Sequence, residues 1–190
     1  MEKGLMPAFL DLPCALLVTD PSGRLLALND ELLAVLGGTR VYWETAGLDA
    51  MLPPASRVFL QTHVWPMLLH LGRVRELALA LPEVEERPSH GSPGWRVGGK
   101  YFAHFNDQHH GAAHIALLAK TSGADELDGL VESQPHAYFR PAYYGASGWV
   151  GIILNRPGVD WDAVAEWLER SWRGAAPKRL TRLMDIADAF

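Results

Sequence analysis

The chain has 190 residues, 48% of them hydrophobic and 21% charged, which excludes a large multidomain enzyme by length and a disordered chain by composition. Seventeen basic against 22 acidic groups leave a net charge of −5, excluding a chain-wide electrostatic footprint for nucleic acid, so any contact with phosphates has to be local. A single cysteine, Cys14, permits neither an internal disulfide nor a Cys₄ or Cys₂His₂ zinc site, and its bland reading is a small buried hydrophobe. Apolar stretches such as 15–18 and 151–154 fall far short of the ~20 residues that cross a bilayer. Met1-Glu2-Lys3-Gly4 starts no charged-then-apolar leader, so a cytoplasmic location without membrane contact is the expectation.

Two short β-like runs come first, Ala15-Leu16-Leu17-Val18-Thr19 and Arg24-Leu25-Leu26-Ala27-Leu28. Between them Asp20-Pro21-Ser22-Gly23 puts Asp, Pro and Gly where a type I turn prefers them, which predicts a hairpin. Asn29 or Asp30 then accepts from the free N–H groups of a first helical turn. Leu32, Leu33, Val35 and Leu36 give that helix an apolar face, and Gly37-Gly38 ends it by permitting positive φ. Residues 55–71 carry Val58, Phe59, Thr62, Trp65 and Leu69 roughly in helical register, with a kink or break predicted at Pro66. His63 on this stretch reads as a packed or surface residue rather than a haem ligand.

The run Leu12-Pro13-Cys14-Ala15-Leu16-Leu17-Val18-Thr19-Asp20-Pro21-Ser22-Gly23-Arg24-Leu25-Leu26-Ala27-Leu28-Asn29, with Leu52-Pro53-Pro54-Ala55-Ser56-Arg57-Val58-Phe59-Leu60-Gln61-Thr62-His63 after it, resembles the PAS sensory family over about residues 8–73. The resemblance implies an opening strand pair and a long helix, continued by three further antiparallel strands. Arg73-Val74-Arg75-Glu76-Leu77-Ala78-Leu79 could begin the first of these, but the residues beyond it follow another pattern. The PAS-like segment is therefore incomplete, and the usual ligand cavity lacks its floor. A helix at 75–81 that buries Leu77 and Leu81 gains roughly 1.5–3 kcal/mol per leucine, whereas a strand there lacks sheet neighbours. That stretch is accordingly given to the second unit, and the chain is divided into 1–73 and 74–190.

In the second unit, Leu77, Ala80 and Leu81 suit a short helix closed by Pro82, and Ser89-His90-Gly91-Ser92-Pro93-Gly94 reads as a loop. Strands follow at Trp95-Arg96-Val97 and Lys100-Tyr101-Phe102-Ala103-His104-Phe105, around a Gly98-Gly99 hairpin turn, and at 114–119. Residues 124–133 read as a helix, 149–154 as a buried strand and 161–173 as a helix. In the last of these Trp161, Val164, Ala165, Leu168 and Trp172 share one stripe, and Pro177 opens a further helix.

Leu77-Ala78-Leu79-Ala80-Leu81-Pro82-Glu83-Val84-Glu85-Glu86, Ser89-His90-Gly91-Ser92-Pro93, Val97-Gly98-Gly99-Lys100-Tyr101-Phe102-Ala103, Gly148-Trp149-Val150-Gly151, Trp161 and Ala176-Pro177-Lys178-Arg179-Leu180 resemble the MmcQ/YjbR family, over about residues 74–183. The resemblance implies an α+β fold, a two-layer antiparallel sheet with packed helices similar to secretion-chaperone folds. The family is often labelled DNA-binding and has no agreed catalytic motif.

His104, His109, His110 and His114 cluster, with His90 and His136 on either side and Asp107 among them, but consecutive histidines rarely converge on one ion. A polar hairpin tip is preferred and no metal is expected. Ser89, Ser92 and Asp107 build no nucleophile elbow, and no GxGxxG or P-loop pattern occurs, so no catalytic residue is assigned and no cofactor, haem and flavin included, is expected. Arg170, Arg173, Lys178, Arg179 and Arg182 fall in one window without an acidic group, and Lys178, Arg179 and Arg182 share a helical face able to hold phosphates. Trp149 and the Tyr143-Tyr144 pair offer stacking surfaces, with core the bland reading for Trp149. Period-two alternation puts Lys100 and His104 on the face of Phe102. If Phe102 is buried, Lys100 must snorkel at the edge; if it is open, His90, Lys100, His104 and Tyr144 border a pocket.

The function expected from these features is a non-catalytic YjbR-like binding module, with weak nucleic-acid binding through the C-terminal basic helix or a protein partner. The alternatives are a PAS-type sensor and a small-molecule enzyme around His90 and Lys100.

Overall fold

The computed structural model describes residues 11–20, 22–107 and 114–187. It divides into two compact units, Met1–Pro66 and Met67–Phe190. Pro21, His109 and His110, invoked above, lie outside the described residues.

In the first unit, β1 (Leu17–Thr19) pairs antiparallel with β2 (Leu25–Leu28). The Asp20 carboxylate accepts from the backbone N–H groups of Ser22 and Arg24 at 2.9 and 3.0 Å, which fixes the turn without help from a sheet neighbour. Asn29, fully buried, is the cap of α1 (Asp30–Leu36): its Oδ1 accepts from Leu32 N–H at 3.1 Å and Leu16 N–H at 2.9 Å. Its amide donates to Cys14 O at 2.7 Å and Leu12 O at 3.2 Å, so the buried side chain leaves little polar capacity unmet. Gly37 and Gly38, at φ 69° and 76°, end the helix as expected.

Two expectations fail in this unit. No residue of α1 is buried and Val35 is 76% exposed, because a two-stranded sheet offers too little surface to cover the helix. Cys14 is exposed rather than buried; what anchors it is its backbone carbonyl under Asn29. Beyond lie α2 (Arg40–Ala46), capped by Thr39, a 3₁₀ turn at Leu48–Met51, and α3 (Pro54–Phe59). His63 is exposed and stacks on Phe59, with ring centroids 5.1 Å apart. One wide turn, Leu60–Val64, precedes α4 (Trp65–Leu79). The backbone stays right-handed helical from Phe59 through the wide turn into Trp65, so the expected break at Pro66 is instead a widened turn just before the proline. The boundary between the units falls inside α4, and residues 75–79 are helical.

The second unit is a six-stranded antiparallel sheet in the order β3-β4-β5-β6-β8-β7. Its strands are β3 (Glu85–Ser89), β4 (Ser92–Val97), β5 (Lys100–Asp107), β6 (Ile115–Lys120), β7 (Tyr138–Phe139) and β8 (Trp149–Ile153). The 89–94 stretch read as a loop is a hairpin instead: His90 and Gly91 adopt φ 52° and 85° and join β3 to β4. The helices are α4, α5 (Ala124–Ser133), α6 (Trp161–Ala175) and α7 (Lys178–Ala187). Asp160 caps α6, accepting from Asp162 N–H and Ala163 N–H at 3.1 Å each. Among the described residues no helix is long and apolar enough to cross a membrane.

The core lies between one sheet face and the helices. Ala103, Ala119 and Val150 stand in register across β5, β6 and β8, as do Phe105, Leu117 and Ile152, and all six join Val74, Leu127, Leu168 and Trp172. Phe102 belongs to the same core, so two successive residues face it. The register explains this: Arg96 opposes Tyr101 while Trp95 opposes Ala103, leaving Phe102 as a bulge. His104 is thereby turned to the other face, against the alternation expected from sequence, in a row with Gly94, Leu118, Gly151 and Phe139.

On that face the Phe139 ring lies directly over Gly151, where an added Cβ would sit 2.1 Å from Phe139 Cε1. Gly151→Ala is expected to displace the ring and lower the stability of the unit by about 1–3 kcal/mol. Urea denaturation checks this, and a variant as stable as the parent would contradict it.

Candidate functional site

β5 begins at Lys100, but its pairing with β6 starts only at Ala103 opposite Ala119. Over Lys100, Tyr101 and Phe102 the two strands part, while Lys120 at the end of β6 continues against Trp149 of β8. The gap is bridged by one buried hydroxyl from α6. Ser171 Oγ donates to Phe102 O at 2.5 Å and accepts from Lys120 N–H at 2.9 Å, satisfying two backbone groups that the parted ladder leaves open. A serine on the apolar stripe of a helix is the sequence signal for this bridge, one that hydrophobic periodicity does not weigh.

The fork opens into a cleft of about 560 Å³. Lys100, Lys120 and Arg170 bring three cations to it, Thr121, Ser122 and Ser171 bring hydroxyls, and Tyr101, Gly174 and Ala175 complete the wall. Lys120 Nζ stands 5.5 Å from the Trp149 ring centroid and the Arg170 guanidinium 4.9 Å from that of Trp167, so both cations lie over aromatic faces. Arg170 Nη2 also reaches Glu126 Oε2 at 2.5 Å, and the same oxygen accepts from Ser122 N–H at 2.6 Å and Ser122 Oγ at 2.8 Å. The hydrogen bond from Arg170, joined by those from Ser122, holds the Glu126 carboxyl down to about 2. Among the described residues neither lysine has a carboxylate partner.

The other expected pocket residues divide. Lys100 lines the cleft. His104 is buried in an aromatic cluster, its ring centroid 4.9 Å from Tyr101, 5.0 Å from Trp149 and 5.3 Å from Tyr144. Gly94 makes room for it, since a Cβ there would lie 2.9 Å from His104 Nδ1. Burial pushes the imidazole down to about 4, and repulsion from His90 adds to the effect. His104 is consequently neutral at pH 7 and brings no charge to the cleft; Tyr101 alone belongs to both the cleft wall and the ring cluster. His114 contacts a different ring, Phe139, at 5.3 Å, and among the described residues no group of three or more His, Cys, Asp or Glu stands in a metal-binding arrangement.

The C-terminal basic window is largely spent on carboxylates that are distant in sequence or on the neighbouring turn. Arg173 pairs with Glu169 at 2.6 Å and Asp185 at 2.5 Å, and Arg179 forms a fork on Glu83 at 2.8 and 2.5 Å. Hydrogen bonding to these carboxylates raises both arginines further above their ordinary range. Lys178 and Arg182 are exposed, without a carboxylate partner among the described residues.

A family model described as YjbR matches residues 79–174. That span takes in the fork from Lys100 to Gly174 and stops short of Lys178, Arg179 and Arg182. Among solved structures, the chain is similar to Deinococcus radiodurans protein DR2400, described as family-model domain DUF419, at 17% identity and a TM-score of 0.45, over 54% of this chain and 75% of that chain. No curated protein matches the chain.

Proposed function

We propose, from the premise that this chain belongs to the YjbR family, that its second unit is a binding module for a phosphate-bearing ligand received in the cleft at the β5–β6 fork. The observation that carries the reading is the convergence of Lys100, Lys120 and Arg170 from three separate elements on one cleft. A phosphate group accepts hydrogen bonds from several directions at once, and charge-assisted bonds to it are about twice as strong as neutral ones. Nucleic acid is one source of such phosphates, and a small phosphorylated compound is another. The PAS-like segment is an accessory in this reading.

For nucleic acid, the site moves from the C-terminal helix toward the cleft, because Arg173 and Arg179 are already committed to carboxylates. Lys100 and Lys120 of the cleft, with Lys178 and Arg182, support weak, sequence-independent contact, with log affinity falling by about 0.9 per phosphate neutralised as log salt rises.

The test titrates the full chain with inorganic pyrophosphate and with a short DNA duplex at low and moderate salt. Lys100→Gln/Lys120→Gln is expected to weaken pyrophosphate binding at least about tenfold, each lost charged contact being worth about 1.5–3 kcal/mol. Gly174→Leu, which places a side chain where a Cβ meets nothing within 4 Å, is expected to block the cleft without altering charge. Lys178→Glu/Arg182→Glu should leave pyrophosphate binding intact and reduce only DNA binding. Pyrophosphate binding indifferent to the cleft variants would remove the site, and no binding of either probe at low salt would favour a protein partner.

A further inference from the structure

Three donors converge on one oxygen, Glu126 Oε2: Arg170 Nη2, Ser122 N–H and Ser122 Oγ. Arg170 and Ser122 also line the cleft, so part of its anion-binding equipment is engaged by an anion belonging to the chain itself. We propose that the Glu126 carboxylate competes with the ligand's phosphate for these donors, and that the positive charge left over beside it favours a phosphomonoester dianion over a phosphodiester. This rests on the cleft reading above and adds the ligand's charge state to it.

The argument is one of charge. Lys100, Lys120 and Arg170 against Glu126 leave the cleft a surplus of two positive charges. A phosphomonoester above its second pKa of about 6 carries two negative charges and matches that surplus. A diester carries one, neutralises only half of that surplus and is attracted less strongly. Protonation does not clear the site, because the Glu126 carboxyl is held down to about 2 and remains ionised throughout the neutral range. The donors are released only to a stronger anion, and the larger charge of the monoester supplies the difference. Arg170, held between Glu126 and the Trp167 face, is already placed near the cleft and needs only to change its acceptor.

The experiment follows the Ser122 amide by ¹H–¹⁵N NMR in the full chain while methyl phosphate or dimethyl phosphate is added at about pH 8, where the monoester is the dianion. Wild type is expected to bind methyl phosphate at least about tenfold more tightly than dimethyl phosphate, with the Ser122 amide shifting as its acceptor changes. In Glu126→Gln both affinities should rise, that for the monoester by more because its two charges feel the lost carboxylate twice as strongly, so that the discrimination widens. Glu126→Asp, which keeps the charge but withdraws it by one methylene, should fall between the two and stands in should Glu126→Gln fail to fold. Equal binding of the two esters by wild type overturns the proposal. So does an unchanged affinity in both variants, which would make Glu126 only a contact at the start of α5 and leave the cleft reading intact. Failure of every protein to bind either ester, with the Ser122 amide unmoved, overturns the cleft reading and the competition together.

Discussion

Trp172→Ala is expected to lower the stability of the second unit by about 3–5 kcal/mol, a large share of the 5–15 kcal/mol typical of a folded protein. The indole is fully buried among the core residues of sheet and helices, and its N–H donates to Pro82 O at 3.2 Å. Truncation opens a cavity and leaves that carbonyl without this donor. The consequence reaches the cleft because Trp172 and Ser171 are neighbours on α6. The seating of the indole positions the hydroxyl that joins Phe102 O to Lys120 N–H. Trp172→Phe keeps most of the volume and should cost less than the alanine variant. Urea denaturation followed by far-UV circular dichroism measures both losses, and pyrophosphate titration under native conditions measures the coupling. A loss below about 1 kcal/mol for Trp172→Ala would mean that the helix is held by something other than this side chain.

What was readable in the sequence is what depends on neighbours along the chain. The stripe of α6, the Gly98-Gly99 turn, the helix at 124–133 and the capping role open to Asn29 are local, and each has its counterpart in the structure. The face of His104 depended on a bulge at Phe102, and a bulge is a mismatch between two strands that neither strand records by itself. Reading β5 by strict alternation therefore put Lys100, Phe102 and His104 together when the fold separates Phe102 from His104.

The basic window shows the same limit in electrostatic form. Between residues 170 and 182 there is no acidic residue, yet Arg170 meets Glu126 from 44 positions away and Arg179 meets Glu83 from 96. Charge counted along the chain gives a free cationic face, whereas charge counted in space leaves Lys178 and Arg182 there and places two further uncommitted cations, Lys100 and Lys120, on the cleft. The cleft could not be found from any one segment, since its cations come from the start of one strand, the end of another and a helix.

Lowering the pH from about 7.5 to about 5 is expected to destabilise the second unit by about 2 kcal/mol through His104 alone, and by about 3 kcal/mol over the full window. The sign follows from where the proton is taken up. In the unfolded chain His104 titrates near its ordinary value of about 6.5. In the fold, burial among Tyr101, Tyr144 and Trp149, aided by His90, pushes it down to about 4. Between these two values the unfolded state binds the proton and the folded state does not, so stability is fully present above the upper value and is lost as pH falls toward the lower one. His104→Phe keeps an aromatic ring in the cluster and removes the titration. Urea midpoints and slopes at both pH values, taken on wild type and variant, cancel the carboxylates and histidines common to the two proteins and isolate this one group. If wild type and His104→Phe lose the same stability on acidification, His104 accepts its proton in the folded state without penalty. The ring cluster around His104 would then admit water.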